Sequence, residues 1–169
     1  MSHNKVYLIG FMGCGKTTTG KLLAKITGFT LIDTDSEIEN ETGKTVSEIF
    51  SSEGETAFRE LELKIISRYF NSSGNFIIST GGGLPCFHDL MNRLIQDGKT
   101  VYIKCEEEIL EERIKKNLNQ RPLLSENDIR KTISDKLKER TPIYEKASII
   151  VNGNQCPEKV AAEILKKLR

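Results

Sequence analysis

The sequence predicts an α/β fold: a parallel sheet with helices packed on both faces. Short apolar runs recur along the chain and are separated by helix-like patterns. Alternation of that kind builds βα units. Most runs are continuous rather than alternating, as strands covered on both faces are. The first run ends in a glycine-rich loop that leads into a helix, an arrangement typical of the ligand-binding edge of such sheets.

The strands are expected over residues 5–10, 30–33, 75–80, 100–104 and 148–151. A helix over 18–26 follows the glycine-rich loop. The next runs over about 55–70, with Phe58, Leu61, Ile65 and Tyr69 on one stripe. Ser52 and Glu55 form a capping-box pattern at its start. A helix over about 127–140 repeats Ile129, Ile133 and Leu137 at four-residue steps, and Pro142 is expected to stop it. The last begins at Pro157, a favoured first helical residue, and lines up Val160, Ile164 and Leu168. His88 is expected to start a helix after Pro85. Two intervals exceed a simple crossover, 35–74 and 115–125, and such insertions usually sit where ligands bind.

The length of 169 residues fits one domain. Lysine and arginine number 25 against 24 acidic residues, a balance that points to neither nucleic acid nor an anionic membrane. Cys14, Cys86, Cys105 and Cys156 show no metal or redox spacing and read as free thiols. No signal pattern or membrane-length apolar run occurs, so a cytoplasmic protein is expected. No extra apolar face stands out, which favours a monomer.

The stretch from Gly10 to Thr17 fits G-x-x-x-x-G-K-[ST], the P-loop. Its glycines let backbone N–H groups turn inward around phosphate, and the helix N-terminus adds partial positive charge. Lys16 supplies a movable charge, and the Thr17 hydroxyl suits Mg²⁺. Asp33 and Asp35 leave the second strand two residues apart. One carboxylate could hold the metal and the other accept a proton, or Asp35 could simply cap the following helix. The third strand ends in Gly81-Gly82-Gly83, which implies close approach to the backbone. No aspartate closes that strand, so the metal-side carboxylate must come from elsewhere, which favours Asp33. Arg59 and Glu62 are spaced to pair on a helix, as many solvated pairs are. Arg121 lies in a polar segment able to close over phosphate, or in a plain loop. Arg140 suits a helix C-terminus, or holds an acidic substrate.

Taken together, Gly-x-Met-Gly-x-Gly-Lys-Thr, Asp33-Thr34-Asp35, Phe58-Arg59-x-x-Glu62, Thr80-Gly81-Gly82-Gly83, Gln120-Arg121-Pro122-Leu123 and Arg140-x-Pro142-x-Tyr144 resemble shikimate kinase. The segments occur in family order over nearly the whole chain. The resemblance implies a P-loop NTPase fold like that of nucleoside monophosphate kinases, with a five-stranded sheet ordered 2-3-1-4-5. It implies phosphoryl transfer from ATP to the 3-hydroxyl of shikimate, with Mg²⁺. By position, Gly13, Cys14, Gly15, Lys16, Thr17 and Thr18 would hold the phosphates. Thr17, and Asp33 through a water, would hold the metal. Asp35 would bind the substrate hydroxyls as the base. Arg59 and Arg140 would clamp the carboxylate, with Glu62 orienting Arg59. Gly82 and Gly83 would give backbone contacts. Arg121 would be the lid arginine, and Lys16, Asp35 and Arg121 the catalytic set. Arg113 falls at the adenine-stacking position, with Gln155 on the other wall. The acceptor-binding segment would cover about 34–62 and the lid about 115–125. Cys14 has no chemistry beyond its place in the loop. Two alternatives remain at this stage. One is a related gluconate or nucleoside monophosphate kinase, which a substrate panel separates. The other is a non-catalytic ATP-binding regulator, which would lack a catalytic residue.

Overall fold

The computed structural model describes residues 5–116 and 129–169. Five parallel strands form one sheet: β1 (Lys5–Ile9), β2 (Thr30–Asp33), β3 (Phe76–Ser79), β4 (Lys99–Lys104) and β5 (Ile149–Asn152), in the order β2-β3-β1-β4-β5. The order implied by the resemblance is therefore the observed one. β1 lies at the centre and pairs with β3 (Val6 with Ile77) and β4 (Val6 with Lys99). The central strands are buried on both faces, whereas edge strands β2 and β5 are partly exposed.

The helices are α1 (Lys16–Thr27), α2 (Thr34–Thr42), α3 (Val46–Ser67), α4 (Leu90–Asp97), α5 (Glu107–Lys116), α6 (Ile129–Tyr144) and α7 (Pro157–Leu168). Successive residues of a strand face opposite sides. Val6 and Leu8 of β1 thus enter one core with Leu23, Ile114, Ile133 and Ile164, while Tyr7 and Ile9 enter the other with Ile66, Leu94 and Tyr144. A third cluster, Ile38, Ile49, Phe58 and Ile65, joins α2 to α3. Gly20 lets α1 lie close on the sheet, since a Cβ there would come within 2.9 Å of Leu31 Cδ1. That contact fixes where the α1 N-terminus meets the end of β1.

Several local expectations change. The helix expected at about 55–70 is the second piece of α3, after Gly54. A first piece from Val46 precedes it, and the capping box of α3 is Thr45 with Glu48 at that start rather than Ser52 with Glu55. Gly54 (φ 85°) separates the two helical pieces. The Ser52 hydroxyl instead donates to Glu48 O at 2.7 Å, closing the first piece. Full burial of Ile49, worth about 1.5–3 kcal/mol, anchors the first piece, and Gly54 takes the positive φ at the kink without the cost a side chain would carry. Pro142 does not stop α6, which continues to Tyr144. Proline removes the N–H that would bond the carbonyl of Lys138, and both residues are exposed, so the loss falls on the solvent side of the helix, where it costs least. Tyr144, fully buried, holds the extra turn in place. His88 does not start a helix: it lies in the left-handed region (φ 46°) between a 3₁₀ turn, Leu84–Cys86, and α4.

Candidate active site

The loop after β1 is set by three left-handed or positive-φ glycines, Gly10 (142°), Gly13 (81°) and Gly15 (98°), the last being the N-cap of α1. It borders a cleft of about 460 Å³ at the carboxyl ends of the strands, lined by Gly13, Cys14, Gly15, Lys16, Thr17 and Thr18 with Asp33, Asp35 and Gly82. Lys16 is buried and its Nζ donates to Gly10 O (2.8 Å) and Phe11 O (3.0 Å). Cys14 Sγ lies 3.7 Å from the same ammonium and faces inward.

Asp33 ends β2 and is itself the N-cap of α2, so capping falls to Asp33 rather than to Asp35. Its Oδ1 accepts from Asp35 N (3.2 Å) and Ser36 N (3.4 Å), and its Oδ2 accepts from Thr17 Oγ1 (2.7 Å). Thr17 Oγ1 also lies 3.5 Å from Ser79 Oγ. A threonine hydroxyl beside a carboxylate is a hard-oxygen pair that suits Mg²⁺. Among the described residues no cluster of three or more His, Cys, Asp or Glu is set to hold a metal. An ion at Thr17 and Asp33 would therefore take most of its ligands from phosphate and water.

Past the glycine triplet lies a second cavity, of about 270 Å³, bordered by Glu55, Arg59, Gly83, Cys86, Glu139 and Arg140. Arg59 is 8% exposed and Arg140 is 7% exposed. Arg59 pairs with Glu62 through Nη1 and with Glu55 through Nη2 at 3.0 Å. Its guanidinium carbon stands 5.2 Å from the Phe58 ring centre, and that of Arg140 stands 5.8 Å from the Phe11 ring centre. The triplet is glycine because side chains crowd it. A Cβ on Gly81 would overlap Glu62 Oε1, one on Gly83 would overlap the Arg59 guanidinium, and one on Gly82 would lie 3.3 Å from Gly10 O. None of the three has positive φ. Glu62 is fully buried, and burial pushes its carboxyl up to about 7; Arg59 opposes the shift and Asp35 adds to it.

Arg113, near the end of α5, faces the loop after β5. Asn154, Gln155, Cys156 and Pro157 complete that wall of the cleft. Arg121 and nearly all of the 115–125 lid interval lie outside the described residues, while Lys115 and Lys116 belong to α5.

Comparison with known proteins decides the family. The family model for shikimate kinase matches residues 12–169. The chain is 41% identical to the shikimate kinase of Persephonella marina over 97% of this chain and 98% of that one. The crystal structure of shikimate kinase from Bacteroides thetaiotaomicron superposes with a TM-score of 0.89 at 34% identity, covering 97% of each chain. That of Acinetobacter baumannii in complex with shikimate gives 0.91 at 34% identity, covering 97% of this chain and 92% of that one. The chain belongs to the shikimate kinase family.

For this shikimate kinase family member, sequence reasoning missed several supporting residues. Glu55 pairs with Arg59 and could have been found from its four-residue spacing. The Thr34 hydroxyl accepts from Gly81 N–H at 3.0 Å, tying the Asp33–Asp35 turn to the triplet. The Tyr144 hydroxyl donates to Gly82 O. No local pattern announces these two, because each joins elements far apart in sequence. Ser79 stands where the expected aspartate was absent, and its hydroxyl faces Thr17.

Proposed function

We propose that this protein transfers the γ-phosphoryl group of ATP to the 3-hydroxyl of shikimate, giving shikimate 3-phosphate and ADP. One observation carries the reading: the glycine triplet separates a cleft built on a P-loop from a cavity bordered by two buried arginines. A phosphate donor fits the first and a small carboxylate the second.

Phosphoryl transfer asks little covalent chemistry of a protein; positioning and charge neutralisation do most of the work. Gly13 to Thr18 would cradle the phosphates with backbone N–H groups. Lys16 would exchange its loop carbonyls for phosphate oxygens, and Arg121 would add a second cation from the lid. Thr17, and Asp33 through a water, would hold magnesium, which would supply charge neutralisation at the outer phosphates. Asp35 would take the proton of the attacking hydroxyl. Arg59 and Arg140 would clamp the substrate carboxylate as planar forks, Arg59 being oriented by Glu62. Gly82 and Gly83 would offer backbone groups to the ring substituents, and Arg113 and Gln155 would flank adenine. Residues 34–62 would form the acceptor-binding segment of a single domain, acting as a cytoplasmic monomer.

The test is ADP release from ATP with Mg²⁺, with and without shikimate. The expected result is turnover that depends on shikimate and on the metal. ADP release that ignores shikimate, or responds equally to gluconate, would overturn the proposal.

A further inference from the structure

Arg113 has a second set of contacts, directed at the phosphate loop itself. Its Nη1 lies 3.5 Å from Gly13 O and 3.4 Å from Cys14 O, and its Nη2 lies 3.4 Å from Gln155 O. The buried Cys105 thiol also faces Cys14 O, at 3.7 Å. Burial pushes that thiol up to about 12, so it stays a neutral donor. Ile114, the next residue of α5, closes the same spot: a Cβ on Gly13 would lie 3.2 Å from Ile114 Cγ1.

These contacts bear on where the loop's N–H groups point. All described peptide bonds are trans. In a trans peptide the N–H points opposite the C=O. With Cys14 O drawn toward Arg113, the Gly15 N–H is turned the opposite way, and Gly15 lines the cleft. With Gly13 O drawn the same way, the Cys14 N–H reaches Phe11 O at 3.2 Å and closes the turn. Gly13 and Gly15 border these peptides, and glycine accepts either peptide orientation at little cost. The Cys14 N–H bond to Phe11 O holds the Gly13–Cys14 peptide from within the loop, and the Cys14–Gly15 peptide is held from outside, by Arg113 and Cys105 at Cys14 O.

We infer that Arg113 is a positioning residue for the phosphate loop: its guanidinium holds the Gly13 and Cys14 carbonyls, which fixes the Gly15 N–H in the orientation that serves phosphate whether or not a base is bound. This rests on the proposed binding of ATP at the loop. It goes beyond any contact between Arg113 and adenine.

Inorganic tripolyphosphate is the probe, because it has phosphates and no base. Its affinity would be measured by calorimetry for the wild type, Arg113→Ala and Arg113→Lys. Arg113→Ala is expected to bind it about tenfold more weakly, the loss of hydrogen bonds from a charged donor. Arg113→Lys keeps the charge but cannot span three carbonyls, so it should stay at least about fivefold weakened. Shikimate affinity in the same variants should stay within about twofold, since the two-arginine cavity lies beyond the glycine triplet. Full recovery by lysine would assign the effect to charge alone and overturn the inference. Wild-type tripolyphosphate binding in both variants, with ATP weakened, would assign Arg113 to the base alone and also overturn it. A wild-type protein that binds neither tripolyphosphate nor ATP would overturn the ATP reading and the inference together. Were Arg113→Ala unable to fold, the lysine variant alone would decide.

Discussion

Replacing Gly81 by alanine strikes the junction of the two cavities. The backbone there accepts alanine, because φ is not positive. The problem is space. The new Cβ would overlap Glu62 Oε1, lie 2.8 Å from Glu62 Cδ and stand 3.3 Å from Asp35 Oδ1. A few tenths of an ångström would relieve the contact with Asp35. Glu62 has no such freedom: it is 0% exposed, and its other oxygen accepts from Arg59. Overpacking a tight interior costs about 1–3 kcal/mol, and breaking a buried ion pair about 3–5 kcal/mol. A partial separation of Glu62 from Arg59 should therefore cost about 2–4 kcal/mol. For a chain of this length that lowers the thermal midpoint by roughly 5–15 °C. Arg59 would lose its orientation, so the KM for shikimate should rise about tenfold while that for ATP changes little. Thermal denaturation and steady-state kinetics read both effects. In a Glu62→Ala background the obstacle is gone, and the same substitution should cost less than about 1 kcal/mol. Equal costs in the two backgrounds, or a Gly81→Ala protein as stable as the wild type, would refute the steric argument.

Other outcomes follow from the same geometry. Asp35→Asn should lower turnover about 10²-fold or more while shikimate still binds; a rate near wild type would remove Asp35 as the base. The raised Glu62 carboxyl makes its own contribution to stability depend on pH: the folded state keeps a proton that the unfolded chain releases near 4.5, so that contribution is full below 4.5 and is lost as pH rises through about 7. Glu62→Gln should flatten that fall in denaturant titrations across this window, and an unchanged slope would contradict the assignment. Thr45→Ala removes half of the capping box of α3 and should cost about 1 kcal/mol in urea unfolding, with no effect on KM for ATP.

The sequence was most legible where chemistry is local. The P-loop, the paired aspartates and the central strands are contiguous patterns, and each lies where its pattern put it. The helix after Gly54 was legible from its apolar stripe, whereas the first piece of α3 was not. That piece depends on burying Ile49 with Ile38 and Phe58, a tertiary contact. The glycine triplet was read correctly as a place of close approach. What approaches includes Glu62 and Arg59 of the protein itself, which no spacing within residues 80–83 could reveal. Pro142 does not end α6 because the cost of proline in a helix depends on exposure, which a local pattern does not carry: Pro142 and Lys138 both lie on the exposed side.

The central place of β1 also governs when this enzyme can come into being. The strand that carries the P-loop is made well before its neighbours β3 and β4, which begin only at Phe76 and Lys99. Parallel pairing across such separations forms slowly and late. A ribosome-bound chain therefore carries its phosphate loop on an unpaired strand at least until β3 has been made. Arg140 emerges later still. The donor half and the acceptor half are thus completed almost together, and a truncated nascent chain has little structure with which to capture and hydrolyse ATP.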